Sequence, residues 1–131
     1  SATADQLSQQ PWHLLLHAAP GLTPFETPGA VDVAVSALVD AAGRHGAMVL
    51  AFAVLPAQLE ALLAPDDAAD GAELTRTLRR LVAPRVNRAL GRKGTLLEDG
   101  GLAEPLDPEV DWLGVAEGIE QRVVAAGLAD D

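Results

Sequence analysis

Cysteine and tyrosine are both missing from this sequence, and lysine occurs once against eight arginines. Without cysteine there can be no disulfide, no thiolate metal site and no thiol nucleophile, and a cytoplasmic location is the natural expectation. Without tyrosine no phenolic oxygen is available to attack a phosphate or an acyl group. Long apolar runs are lacking as well: Asp, Glu, Gln or Pro interrupts each one short of the roughly 20 residues that span a bilayer. No basic start followed by an apolar centre marks a secretory leader. Aromatic residues amount to only 3%, two Trp and two Phe.

What is present suits one globular domain covering residues 1–131. The chain is 49% hydrophobic, too apolar for disorder, and 131 residues are enough to bury one core. The net charge of −10 opposes a polyanionic partner, because phosphate contacts dominate nucleic-acid affinity. The charges are also segregated. Arg76, Arg79, Arg80, Arg85, Arg88, Arg92 and Lys93 fall in a stretch without a single acid, whereas the segments before and after it are strongly acidic.

Periodicity supplies the elements. Residues 12–18 read as a first strand between Pro11 and Pro20. Thr27 followed by Pro28 makes a capped helix start, and Val31, Val35, Leu38, Val39 and Ala42 recur at helical spacing as far as His45-Gly46. Residues 48–55 are continuously apolar, as in a strand covered on both faces. After Pro56, residues 57–63 form a third strand, antiparallel to the second because the turn is so short. Alternation puts Leu59, Ala61 and Leu63 on one of its faces and Gln58, Glu60 and Leu62 on the other. Asp70 with Glu73 resembles a capping box. The helix it opens runs to about Leu90, with Leu74, Leu78, Leu81 and Val82 inward, and is expected to bend at Pro84. Residues 91–106 read as a Gly-rich loop with a short strand at 95–97. A last helix starts at Asp107-Pro108, carries Trp112, Val115, Ile119 and Val123 as one stripe, and stops at Gly127. The order β-α-β-β-α-(β)-α implies an α+β, ferredoxin-like antiparallel sheet with two helices on one face and an additional C-terminal helix.

Four segments, in order and sensibly spaced, carry a family likeness. They are Trp12-His13-Leu14-Leu15-Leu16, Val49-Leu50-Ala51-Phe52-Ala53-Val54-Leu55-Pro56, Asn87-Arg88-Ala89-Leu90-Gly91-Arg92-Lys93-Gly94, and Ile119-Glu120 with Val124-Ala125-Ala126-Gly127-Leu128. Together they resemble the single-tyrosine HUH transposases, most closely the REP-associated tyrosine transposases of bacteria. That resemblance implies two histidines holding a divalent metal, a tyrosine on the last helix that attacks the scissile phosphate, and an asparagine four residues later. Here those positions hold Gln58 and Glu60, Gly118, and Arg122. The expectation is therefore a catalytically inactive relative of the family with no cofactor and no metal. The resemblance also implies a homodimer, since the family pairs subunits through its sheet.

Blander readings stand beside these. Gln58 and Glu60 offer oxygens that Mg²⁺ accepts, but a polar strand face explains them as well. His13 and His17 share a strand face yet sit about 13 Å apart by strand rise, too far to share a metal. No small-molecule site and no membrane segment is indicated. The basic helix is either a DNA-facing surface, with Arg76, Arg79 and Arg80 on one face and Arg85, Arg88 and Arg92 on another, or a set of ion-pair partners for acidic segments of this chain or a second subunit. The reading preferred from sequence is an interaction or scaffold protein. The alternative is a transposase-derived DNA-binding protein.

Overall fold

A computed structural model of the chain describes residues 11–66, 71–106 and 112–125. The elements are β1 (Trp12–His17), α1 (Pro28–Arg44), β2 (Met48–Leu55), β3 (Gln58–Ala64), α2 (Gly71–Leu90), β4 (Leu102–Pro105) and α3 (Trp112–Ala125). The four strands form one sheet in the order β2-β3-β1-β4, and every neighbouring pair is antiparallel. This is the ferredoxin-like arrangement expected from the sequence.

Register fixes what each face carries. His17 lies opposite Gln58, Leu15 opposite Glu60 and His13 opposite Leu62. Leu59, Ala61 and Leu63 point the other way, into the main core with Leu14, Leu16, Leu38, Leu74, Leu78, Val82 and Val86 from β1, α1 and α2. The expected alternation of β3 therefore holds residue by residue. A smaller core on the opposite face joins Ala51, Ala53 and Leu62 to Ala116 and Ile119 of α3. Both faces of β2 are thus covered, although its free edge leaves Met48 and Phe52 exposed and a register irregularity falls between Val49 and Ala51.

One helical detail corrects the sequence reading. On α1 the buried residues are Ala30, Ala34, Ala37, Leu38, Ala41 and Ala42, with Val31 and Val35 half-buried against the core, while Val39 is 59% exposed. Small alanines let α1 lie close on its neighbours, and of the expected stripe only Val39 is turned off the core. Thr27 does cap the helix, its hydroxyl accepting from the Ala30 amide at 3.2 Å. On α2 the helix continues through Pro84 to Leu90, the expected end. Pro84 is on the exposed side, where water can satisfy the carbonyl left without a partner by the missing amide.

The fourth strand also lies later than expected. Residues 95–97 make only an isolated bridge, Ala18 to Leu97, with Leu96 and Leu97 buried. The true strand is Leu102–Pro105, reached after Gly100 and Gly101 at φ +89° and +92°. Leu102–Pro105 shows little burial, so no apolar alternation announced it. The proposed cap at Asp70, the helix start at 107–108 and the stop at Gly127 lie outside the described residues.

Candidate functional site

Positions 58 and 60 sit where the resemblance puts a metal-binding histidine pair, side by side on the face that α3 covers. Glu60 is only 3% exposed and is the one buried charged side chain among the described residues. Its Oε2 lies 2.6 Å from Nε2 of His13. Leu15 stands directly opposite Glu60, so His13 is a diagonal neighbour on the same face, within reach of a long side chain. A carboxylate buried this deeply requires such a partner. One carboxylate oxygen of Glu60 is therefore taken up by His13 of the neighbouring strand.

Gln58 is half-buried at the mouth of this face, opposite His17. Among the described residues no group of three His, Cys, Asp or Glu side chains is placed to hold a metal ion. Gly118 lies on α3, half-buried, and a Cβ built there meets no atom within 4 Å. Arg122 lies on the same helix, and its side chain is outside the described residues. The structure thus brings Glu60 and His13 together, a pairing that sequence could not reveal because it depends on the β1–β3 register.

The basic segment divides by direction. Glu73, Arg76, Arg80, Pro84 and Arg88 form the exposed stripe of α2, at steps of three and four. Arg79, Arg85 and Arg92 are partly buried and have structural work. Arg79 donates from Nη1 to the Gly100 carbonyl at 3.0 Å and from Nη2 to the Glu98 carbonyl at 2.6 Å, clamping the loop before β4. Arg85 donates to Asp40 Oδ2 at 2.7 Å, tying α2 to α1, and Arg44 reaches the same carboxylate at 3.1 Å. Arg92 donates to Asn87 Oδ1 at 2.6 Å.

Asn87 is the hub of the turn that follows α2. Its carbonyl accepts the Arg92 amide at 2.9 Å, the Arg88 carbonyl accepts the Gly91 amide at 3.2 Å, and Gly91 has φ +65°. This is a Schellman stop, with glycine at the left-handed position. The Asn87 side chain also donates to the Gly94 carbonyl at 2.9 Å. The motif singled out by the family resemblance is therefore a well-tied helix end.

Of the expected group Arg85, Arg88 and Arg92, Arg85 and Arg88 line one groove, Arg88 is the most exposed, and Arg85 and Arg92 are tied to Asp40 and Asn87. Arg76, exposed, pairs with Glu73 one turn earlier. Arg80, Arg88 and Lys93 remain exposed, and among the described residues no hydrogen bond or ion pair engages them. Arg80 also draws on the nearby Glu73 carboxylate. The intramolecular acids were only half foreseen: Asp40 and Glu73 provide the carboxylates, while the acidic segment after residue 97 contributes backbone carbonyls. Asp40 is held below its ordinary 3.8 chiefly by the Arg85 hydrogen bond and then by Arg44, and Glu73 is lowered by Arg76.

Between α1 and α2 runs an open groove of about 420 Å³, lined by Asp32, Val33, Ser36, Arg85, Arg88 and Ala89. Most of its lining is apolar, with Arg88 on one lip. None of the described helices is long and apolar enough to cross a membrane.

No protein-family profile matches the chain, and no curated protein matches it. Solved structures do. A REP-associated tyrosine transposase bound to a REP hairpin superposes with a TM-score of 0.69 over 92% of this chain and 70% of its own, at 14% identity. A Deinococcus radiodurans R1 protein described as a candidate transposase gives a TM-score of 0.59 over 90% of this chain and 91% of its own, at 18% identity. At such identities the likeness is one of architecture: this chain has a transposase-like α+β fold.

Proposed function

We propose that this domain performs no strand cleavage and acts as a homodimeric interaction or scaffold protein. The observation that carries the reading is Glu60. At a position where the resembled family needs a metal ligand, this chain has a buried carboxylate bonded to His13. The missing tyrosine supports the same conclusion, since the covalent phosphotyrosine step has no nucleophile here. The open space at Gly118 fits a position from which a large side chain has been withdrawn. The test is incubation with single-stranded hairpin DNA and Mg²⁺ or Mn²⁺, followed by denaturing electrophoresis. No cleaved strand and no protein–DNA adduct is expected, and a stable adduct would overturn the reading. Measurement of molar mass by light scattering tests the self-association.

One observation favours a second reading, a transposase-derived DNA-binding protein. Arg80, Arg88 and Lys93 are exposed and, among the described residues, without a hydrogen bond or ion pair. The REP-associated transposase of similar fold was solved with a DNA hairpin. Against it stands the net charge of −10, which repels a polyanion at long range.

A further inference from the structure

The two edges of the sheet are unlike. β4 is protected as edge strands usually are: it is four residues long, ends in Pro105 and carries Glu104. β2 has neither brevity, proline nor charge to shield it. It runs for eight residues, and no Asp, Glu, Lys or Arg occurs from position 45 to position 59. The irregularity between Val49 and Ala51 disturbs its first half but leaves Ala51–Leu55 in unbroken register with β3. Leu55 and Gln58 flank the two-residue turn and bond to each other, so alternation turns the N–H and C=O of Phe52 and Val54 out to the free edge. The helix layer extends this surface. α2 packs over β1 and β4 and α1 over β2, so the flank of α1 turned away from α2 overhangs the same edge. Asp40, bonded to Arg85, and Val33 and Ser36 of the groove mark the α2 side. Val31, Val35 and Val39, at steps of four, form the opposite flank. Phe52 pairs with Ala61 and therefore rises on the helix face, beside that flank. Of the four large apolar side chains exposed among the described residues, Val39, Met48 and Phe52 all lie at this edge.

We propose that a second copy of the chain joins at the β2 edge, antiparallel to the first about a two-fold axis through Ala53. The outward groups of Phe52 and Val54 then bond across the axis, and the four-stranded sheet continues into one of eight. Phe52 of each copy faces Val54 of the other, an aromatic side chain against a β-branched one. A two-fold axis normal to the sheet keeps both helix layers on the same side, so the α1 flanks meet above the joined strands and cover Val39 and Phe52. The occupant is argued from charge. Two molecules of net charge −10 repel, and few surfaces let them touch without setting carboxylates together. This edge does so, because neither β2 nor the Val33–Val39 stretch of α1 holds a charged residue. The surface is also its own complement, as a closed two-fold interface requires. This inference rests on the homodimer proposed above and specifies its edge and symmetry.

Light scattering over a range of protein concentrations, at about 50 and about 500 mM salt, measures the mass. A dimer is expected at both salts, since main-chain hydrogen bonds and apolar contacts are not screened. Val39→Lys with Phe52→Lys should raise the concentration for half-association about tenfold or more. The two lysines reduce the net −10, so repulsion between copies lessens and cannot account for the loss. Leu113→Lys, at an exposed position of α3 on the other side of the sheet, should leave the dimer intact. Circular dichroism checks that each variant folds. Hydrogen exchange supplies a measure that needs no variant: amides of 51–55 should exchange more slowly in the dimer than after dilution to the monomer, and those of β4 should not change. A dimer that survives the double lysine variant, with no slowing at 51–55, would keep the homodimer and overturn this edge. A mass that grows past the dimer would overturn the two-fold closure. A monomer under every condition would overturn both this inference and the homodimer.

Discussion

Glu60 and three glycines show how single residues set what this molecule can do. The Glu60 carboxylate is buried against His13, so its removal strands a ring nitrogen and empties a packed site. Glu60→Ala should cost about 1.5–3 kcal/mol, the range for a hydrogen bond to a charged group, whereas Glu60→Gln keeps a polar partner for His13 and should cost clearly less. Urea titration of both variants checks this; equal losses would mean that charge alone matters. Gly118 is in open space within α3, where glycine is about 0.5–1 kcal/mol worse than alanine. Gly118→Ala should therefore stabilise by that amount, read as a higher melting temperature. Gly101 is the opposite case. At φ +92° an added Cβ would collide with the Leu15 carbonyl oxygen, so Gly101→Ala should lower stability by about 1–3 kcal/mol in the same assay. A similar conflict faces Gly46, at φ +62° beside the Asp66 carboxylate. The resemblance, which puts a tyrosine where Gly118 stands, left open whether that glycine marks a vacated position or a close backbone contact, and the open space favours the first. Nothing in the sequence announced the crowding at 101, since paired glycines signal a turn but not which backbone passes close.

The elements were legible wherever one face is apolar and the other polar. β3 alternates strictly, and its faces fell as expected; β2 and β3 are joined by so short a turn that their pairing followed. α1 misled because it is apolar nearly all round. Val39 looked like part of the buried stripe, while alanines hold most of the buried positions and Val31 and Val35 sit half-buried at their edge. β4 was missed for the reverse reason, having almost nothing buried to announce it. The bond between α1 and α2 at Asp40 gives a prediction with a sign. Arg85 and Arg44 hold this carboxyl below its ordinary 3.8. A lowered pKa means the tie contributes fully above the unfolded value and is lost as pH falls through the folded one. The melting-temperature gap between the wild type and Asp40→Asn should thus be constant from neutral pH down to about 4 and shrink below it. A gap unchanged at pH 2.5 would show that the asparagine acts through packing, not through the lost charge.

At the scale of the whole molecule, the sorting of arginines bears on DNA. Seven cations in sequence suggested a basic surface, but Arg79, Arg85 and Arg92 are turned to structural partners and Arg76 is paired. Among the described residues only three exposed cations remain without a hydrogen bond or ion pair, so any single-strand binding through them should follow a log–log salt slope near −2 and be no tighter than about micromolar at physiological salt. A fluorescence titration of labelled hairpin at two salts measures both, and nanomolar binding at each would reverse the ranking of the two functional readings. The strand order has a further effect, on the time course of folding. β1 lies in the middle of the sheet, yet its partners come late in the chain: Trp12 faces Leu63 on one side and Pro105 on the other. The β2–β3 hairpin closes over a two-residue turn and can form within microseconds. β1 must then wait for contacts across some fifty and ninety residues, so the ordering entropy is spent before those contacts return it. During synthesis the first strand to emerge is thus among the last to be enclosed, and until β4 arrives it stands as an open edge.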